Sequence, residues 1–127
     1  MVPTEDTRRQ VRDLVTRVLP DVTRIRHCLH QIPELALAEH ATAELVRREV
    51  AAVGLQPRPP LLRTDVIAVI EGAHPGPNVT VRADMDALPV VEKTGLPYQS
   101  RHEGRMHACG HDGHTAMLIG SLRVLYQ

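Results

Sequence analysis

Met106-His107-Ala108-Cys109-Gly110-His111-Asp112-Gly113-His114-Thr115 is the stretch on which the reading of this chain turns. Four of the eight histidines fall between His102 and His114, and one of the two cysteines stands among them. Cys109 and His111 put a thiol and an imidazole on either side of Gly110. Both groups are ordinary zinc ligands, with bonds of about 2.3 and about 2.0 Å. Side chains two residues apart diverge on a helix and share one side of an extended segment. One ion can be shared if Cys-Gly-His is extended or turned, and glycine permits the backbone that requires. The spacing is not that of a zinc finger, which needs two separated pairs. His107 and His114 are further candidates near such a site; His114 could face it or simply lie on a first helical turn. The stretch points to metal chemistry without naming a reaction.

Downstream, residues 111–126 read as helix, with Met117, Leu118, Leu122 and Leu125 apolar. Upstream, 87–105 reads mostly as loop, because Pro89, Gly95, Pro97 and Gly104 break any period. Before the loop come two strong strand patterns, 65–71 and 78–84, joined by a Gly- and Pro-rich turn short enough to favour antiparallel pairing. Residues 56–63 form a weak edge strand at best, damaged by Pro57, Pro59 and Pro60. Asp84 and Asp86 close the second strong strand. Two apart on a strand, both carboxylates can point into one space. They serve as ligands, as carboxylates orienting a ligating histidine, or merely as polar residues at a strand end.

The N-terminal half reads as two helices. Val11, Leu14, Val15, Val18, Val22, Ile25 and Leu29 make one apolar stripe over 5–31, with a kink or a break expected at Pro20. The second helix spans 38–53, with Ala43, Val46, Val50 and Val53 inward, charged residues on a solvated face and Gly54 as a stop. His27, His30, His40 and His74 read as ordinary surface or helix-face histidines.

At 127 residues the chain is one domain's worth. Phe and Trp are absent and Tyr occurs twice, so the core must be Leu, Val, Ile and Ala. The 15 basic and 15 acidic residues cancel, which argues against a sequence-independent grip on nucleic acid. The longest aliphatic run, Val66 to Ile70, is far too short to span a membrane. No signal peptide is visible, and Cys28 and Cys109 read as free thiols, so a soluble cytoplasmic protein is expected.

Three segments together resemble successive signatures of the M20 metallopeptidase superfamily. They are Leu29-His-Gln-Ile-Pro-Glu-Leu35, Arg82-Ala-Asp-Met-Asp-Ala-Leu-Pro89 and Met106 to Thr115, in the family order across nearly the whole chain. Glu92-Lys-Thr-Gly-Leu-Pro-Tyr98 fits the connecting segment. The nearest branch is the amidohydrolases of hippurate, N-acyl amino acids and indole-3-acetyl amino acids. The resemblance implies an α/β fold, the N-terminal part of a zinc-peptidase-like catalytic domain with helices on a mixed sheet. It implies two divalent ions (zinc, manganese, cobalt or nickel), with Cys109 and His111 among the ligands. Asp84 and Asp86 take a supporting role, since Asp84 stands where other branches carry a histidine. The implied partners are a small N-acyl amino acid and, in a complete enzyme, a second identical subunit.

The family pattern also holds a Glu-Glu pair supplying the general base, later histidine ligands and a small dimerisation and lid domain. This sequence has no Glu-Glu dipeptide and carries only the N-terminal portion. Residues 1–127 are therefore expected to be a partial catalytic domain, an N-terminal fragment of a metal-dependent amidohydrolase that is inactive alone. The alternative is a non-catalytic metal-binding or interaction remnant.

Overall fold

The computed structural model describes residues 2–127. Its elements are α1 (Glu5–Gln31), α2 (His40–Ala52) and α3 (His111–Leu125). The helices stand where the apolar periods put them, and α1 starts on a true cap: Thr4 Oγ1 accepts the Thr7 amide. Pro20 neither ends nor divides α1. It sits on the exposed side, where water can satisfy the carbonyl that its missing N–H leaves free.

The core joins all three helices. Ile25 and Leu29 of α1 are fully buried against Leu45, Val46 and Val50 of α2 and Ala116 and Ile119 of α3. It is aliphatic throughout, as the composition requires. Gly120 marks the close approach of α1 and α3: a Cβ there would lie 2.5 Å from Val22 Cγ2. Around this contact, Arg123 of α3 donates to Asp21 of α1 and to Glu49 of α2, at 2.7 Å each. Arg24 of α1 reaches the same Glu49 at 3.0 Å. The charges of α2 are thus not all a solvated face. Glu49 is half-buried in this network, and Arg47 donates to the Asp65 carbonyl at 2.9 Å.

The apolar stripe of α1 is only half used. Val11, Val15 and Leu19 remain about half exposed, and the core begins at Val22.

The segment after α1 explains why Glu34 stands in the first signature. The N-cap residue of α2, Glu39, makes no capping bond of its own. Glu34, five residues earlier in sequence, reaches over instead. Its carboxylate accepts the Ala41 amide at 3.1 Å and the Thr42 amide and hydroxyl at 2.8 Å each. Burial pushes the Glu34 carboxyl up, but the Thr42 and Ala41 bonds and the charge of His40 outweigh it, and the net direction is down from 4.5. A depressed carboxyl contributes stability that is fully present above its ordinary value and lost as pH falls through its folded one. The chain is therefore expected to lose thermal stability as pH drops below about 4.5. Glu34→Gln should lower the melting temperature at pH 7 and flatten that acid limb. An unchanged acid limb in melts from pH 3 to pH 7 would count against the cap.

The two strand patterns do not pair with each other. Pairing among the described residues comes down to isolated bridges: Leu35 with Ala87 in parallel, and Arg58 with Ile67 and Leu88 with Met106 antiparallel. Val66 and Ala68 still pack on the core, but Val79 and Val81 are 80% and 65% exposed. A two-stranded ribbon with one face in water is marginal, and nothing described here covers the outer face of 78–84. Residues 87–105 form a loop, as expected. Among the described residues no helix is long and apolar enough to cross a membrane.

Candidate metal centre

The corner is built where α3 begins. Gly110 is the N-cap of α3 in the left-handed region, φ 92°. Its carbonyl takes the Gly113 and His114 amides at 3.0 and 3.1 Å, closing the first turn. A side chain at position 110 would meet nothing within 4 Å, so glycine is needed for the backbone angle and not for space. The turn puts Cys109 just outside the helix, exposed and free, and His111 on its first residue.

His111 is held from one side. Its Nδ1 lies 2.9 Å from Asp86 Oδ1 and 3.0 Å from the Asp86 carbonyl. With the proton on Nδ1, that nitrogen donates to Asp86 and Nε2 keeps its lone pair. Ligating histidines are oriented in this way by carboxylates. Asp86, expected from sequence in a supporting role, lies against the His111 ring. Asp84 does not converge with it. The Asp84 carboxylate pairs with Arg82 on the surface, and its carbonyl accepts the Thr115 hydroxyl at 3.0 Å. Two residues that share a strand pattern here serve different partners.

His114 is exposed, with its ring 6.1 Å from that of His111. His107 is buried, and neither of its ring nitrogens has a partner. Burial holds its imidazole below the ordinary value, against the opposing pull of the Asp112 charge.

As donors, a thiol and an oriented imidazole fit a borderline-soft divalent ion. Among the described residues no group of three or more His, Cys, Asp or Glu side chains comes together to hold one. The residues present fit two positions of a metal site, not a closed one.

Sequence reasoning missed a second cluster directly behind this corner. His30 is not a surface histidine: its side chain is 3% exposed. Its Nδ1 lies 2.7 Å from Asp112 Oδ2, and its Nε2 lies 3.2 Å from Glu92 Oε1. Arg26 Nε reaches the same Asp112 oxygen at 2.9 Å. Glu92 also accepts the Thr94 hydroxyl and the Ser100 amide. Burial pushes the Glu92 carboxyl up, but these bonds and His30 outweigh it and hold it below its ordinary value. Tyr98, from the same loop, stacks on His27 at 3.8 Å and lies under Arg26. The one sequence signal was the four-residue step from Arg26 to His30, which puts both on one helix face.

Comparison with known proteins gives the class. Residues 80–127 match the model of Peptidase family M20/M25/M40. An N-acetyl-L-cysteine deacetylase of Bacillus subtilis (strain 168) is 52% identical over 101 residues, 80% of this chain and 24% of that protein. An N-acyl-L-amino acid amidohydrolase of Geobacillus stearothermophilus is 41% identical over 121 residues, 95% of this chain and 33% of that protein. A dinuclear metal-binding M20 peptidase from Bacillus subtilis superposes with a TM-score of 0.82 at 42% identity, over 91% of this chain and 32% of that one. The chain belongs to the M20 family and has the fold of the N-terminal part of its catalytic domain. It spans about a quarter to a third of the length of these relatives.

Proposed function

We propose that this chain is the N-terminal metal corner of a divalent-metal-dependent amidohydrolase acting on small N-acyl amino acids. The observation that carries the reading is the His111–Asp86 pair. It leaves one imidazole nitrogen free beside an exposed thiol, at the family's Cys-x-His position.

In this reading Cys109 and His111 hold the ion, which can be zinc, manganese, cobalt or nickel. Two ions per complete site follow the dinuclear relative. A bound divalent ion supplies Lewis acidity, which acidifies water and polarises the amide carbonyl. The chain's own residues do the positioning. Asp86 keeps the Nδ1 proton on His111 and fixes the ring, and the Gly110 turn sets the thiol and the imidazole on one corner. His107 and His114 stand nearby without an assigned step, and Asp84 anchors Thr115 through its carbonyl. The general-base glutamate, the later ligands and the lid domain of the family pattern are not among residues 1–127. The homodimer is proposed for the complete enzyme. Two free thiols suit a reducing compartment such as the cytoplasm.

Titrating the chain with Co(II) and following the thiolate charge-transfer absorption tests this directly. A band that saturates in the wild type and is lost in Cys109→Ser is the expected result, with negligible turnover of N-acetyl amino acids by the 127-residue chain. Retention of the band in Cys109→Ser, or no band at all, would remove the metal corner. The rival reading, a non-catalytic metal-binding or interaction remnant, draws on the lack of a three-donor cluster among the described residues. It gains if adding the complementary part of an M20 relative restores no hydrolysis.

A further inference from the structure

We propose that His30 is a positioning residue: from α1 it fixes the turn that presents Cys109 and His111. The proposal rests on the metal-corner reading above for its purpose, though not for its geometry.

Ligands must be held to about 0.5 Å for a site to work, so the question is what holds the first turn of α3. The apolar anchors of that helix are Ala116 and Ile119, with Gly120 against Val22. Ile119 lies eight residues past His111, about 12 Å along the axis at about 1.5 Å per residue. At the turn itself the bonds are polar. The Asp86–His111 and Asp84–Thr115 bonds tie it to 84–86, a segment with no strand ladder of its own. Met85 packs that segment on the core, and a direct tie from the turn to α1 runs through Asp112, the residue after His111, whose side chain is 1% exposed. His30 and Arg26 hold that carboxylate, and His30 follows Leu29, which is fully buried in the core.

His30 also bonds the connecting loop, where Arg26 only lies against the Tyr98 ring. Through Nε2 it engages Glu92, which holds the 92–100 loop by the Ser100 amide at 2.6 Å. Its two ring nitrogens face two carboxylates at once, Asp112 and Glu92. One side chain therefore sets the α3 turn and the connecting loop against the same helix. Charge-assisted bonds of this kind are short and strong, and burial strengthens them.

The test uses the full chain with His30→Ala, His30→Gln and a control, Ile25→Val, which loosens the same helix without touching Asp112. Amide exchange is measured on the metal-free chain at Gly113 and His114 and compared with Ile119 and Gly120. Co(II) titration is run alongside. In both His30 variants, exchange at Gly113 and His114 is expected to rise at least about 10-fold relative to Ile119 and Gly120. Co(II) affinity is expected to fall about 10- to 100-fold, the range seen when partners of a ligand are removed. Ile25→Val should speed all four amides together and leave the Co(II) band in place.

If His30→Gln shows the same ratio of first-turn to mid-helix exchange as Ile25→Val, the proposal is wrong, whether or not Co(II) binds. If His30→Gln loses its helical signal altogether, His30 is a global structural residue and the proposal also falls. A wild-type chain without a Cys109-dependent band would sink the metal reading alone, because the exchange ratio still decides what His30 does.

Discussion

Asp112→Ala is expected to destabilise the chain by about 3 kcal/mol, read as a shift of the urea unfolding midpoint at pH 7. Removing one partner of a buried ion pair costs about 3–5 kcal/mol, because the charge left behind has lost its water and gained nothing. Asp112 Oδ2 holds Arg26 as its ion-pair partner and His30 as a hydrogen-bond partner. The lower end of the range applies because the Arg26 side chain is 32% exposed and can turn to solvent. His30 cannot, at 3% exposed, although Glu92 remains beside it. Single domains are stable by about 5–15 kcal/mol, so a loss of this size removes a large part of the total. A cost below about 1 kcal/mol would mean that Asp112 is not the hinge between α1 and α3 that its bonds describe.

Leu29→Ala is expected to cost about 2–5 kcal/mol, and Val15→Ala less than about 0.5 kcal/mol, although both lie on one apolar stripe of one helix. Leu29 is fully buried among residues of all three helices, so truncation leaves a cavity that the aliphatic core cannot fill. Val15 is 46% exposed and has little burial to lose. Paired chemical denaturation of the two variants checks this. Comparable losses would show that the N-terminal half of α1 is covered in solution.

Local pattern alone named the candidate residues: Cys-Gly-His as candidate ligands and the Asp-Met-Asp end of 78–84 as candidate supporting carboxylates. Asp86 takes a place beside His111. Asp84 does not share it, because which way a carboxylate turns depends on the nearest cation, and for Asp84 that is Arg82. His30 was misread because a histidine's burial is a property of its neighbours. Its partners Glu92 and Asp112 lie 62 and 82 residues away.

By itself the sequence determined the extents of the three helices, an all-aliphatic core and membership of the M20 family. These follow from local periods, composition and the order of short signatures, none of which needs a distant contact. Only the tertiary structure decided that the core starts at Val22, that Glu34 caps α2 from outside it, and that 65–71 and 78–84 run without pairing to each other. It alone put a buried histidine of α1 behind the Cys-Gly-His turn. Each of these depends on which groups meet across long separations, where a hydrogen bond or a buried surface exists only once both sides are in place.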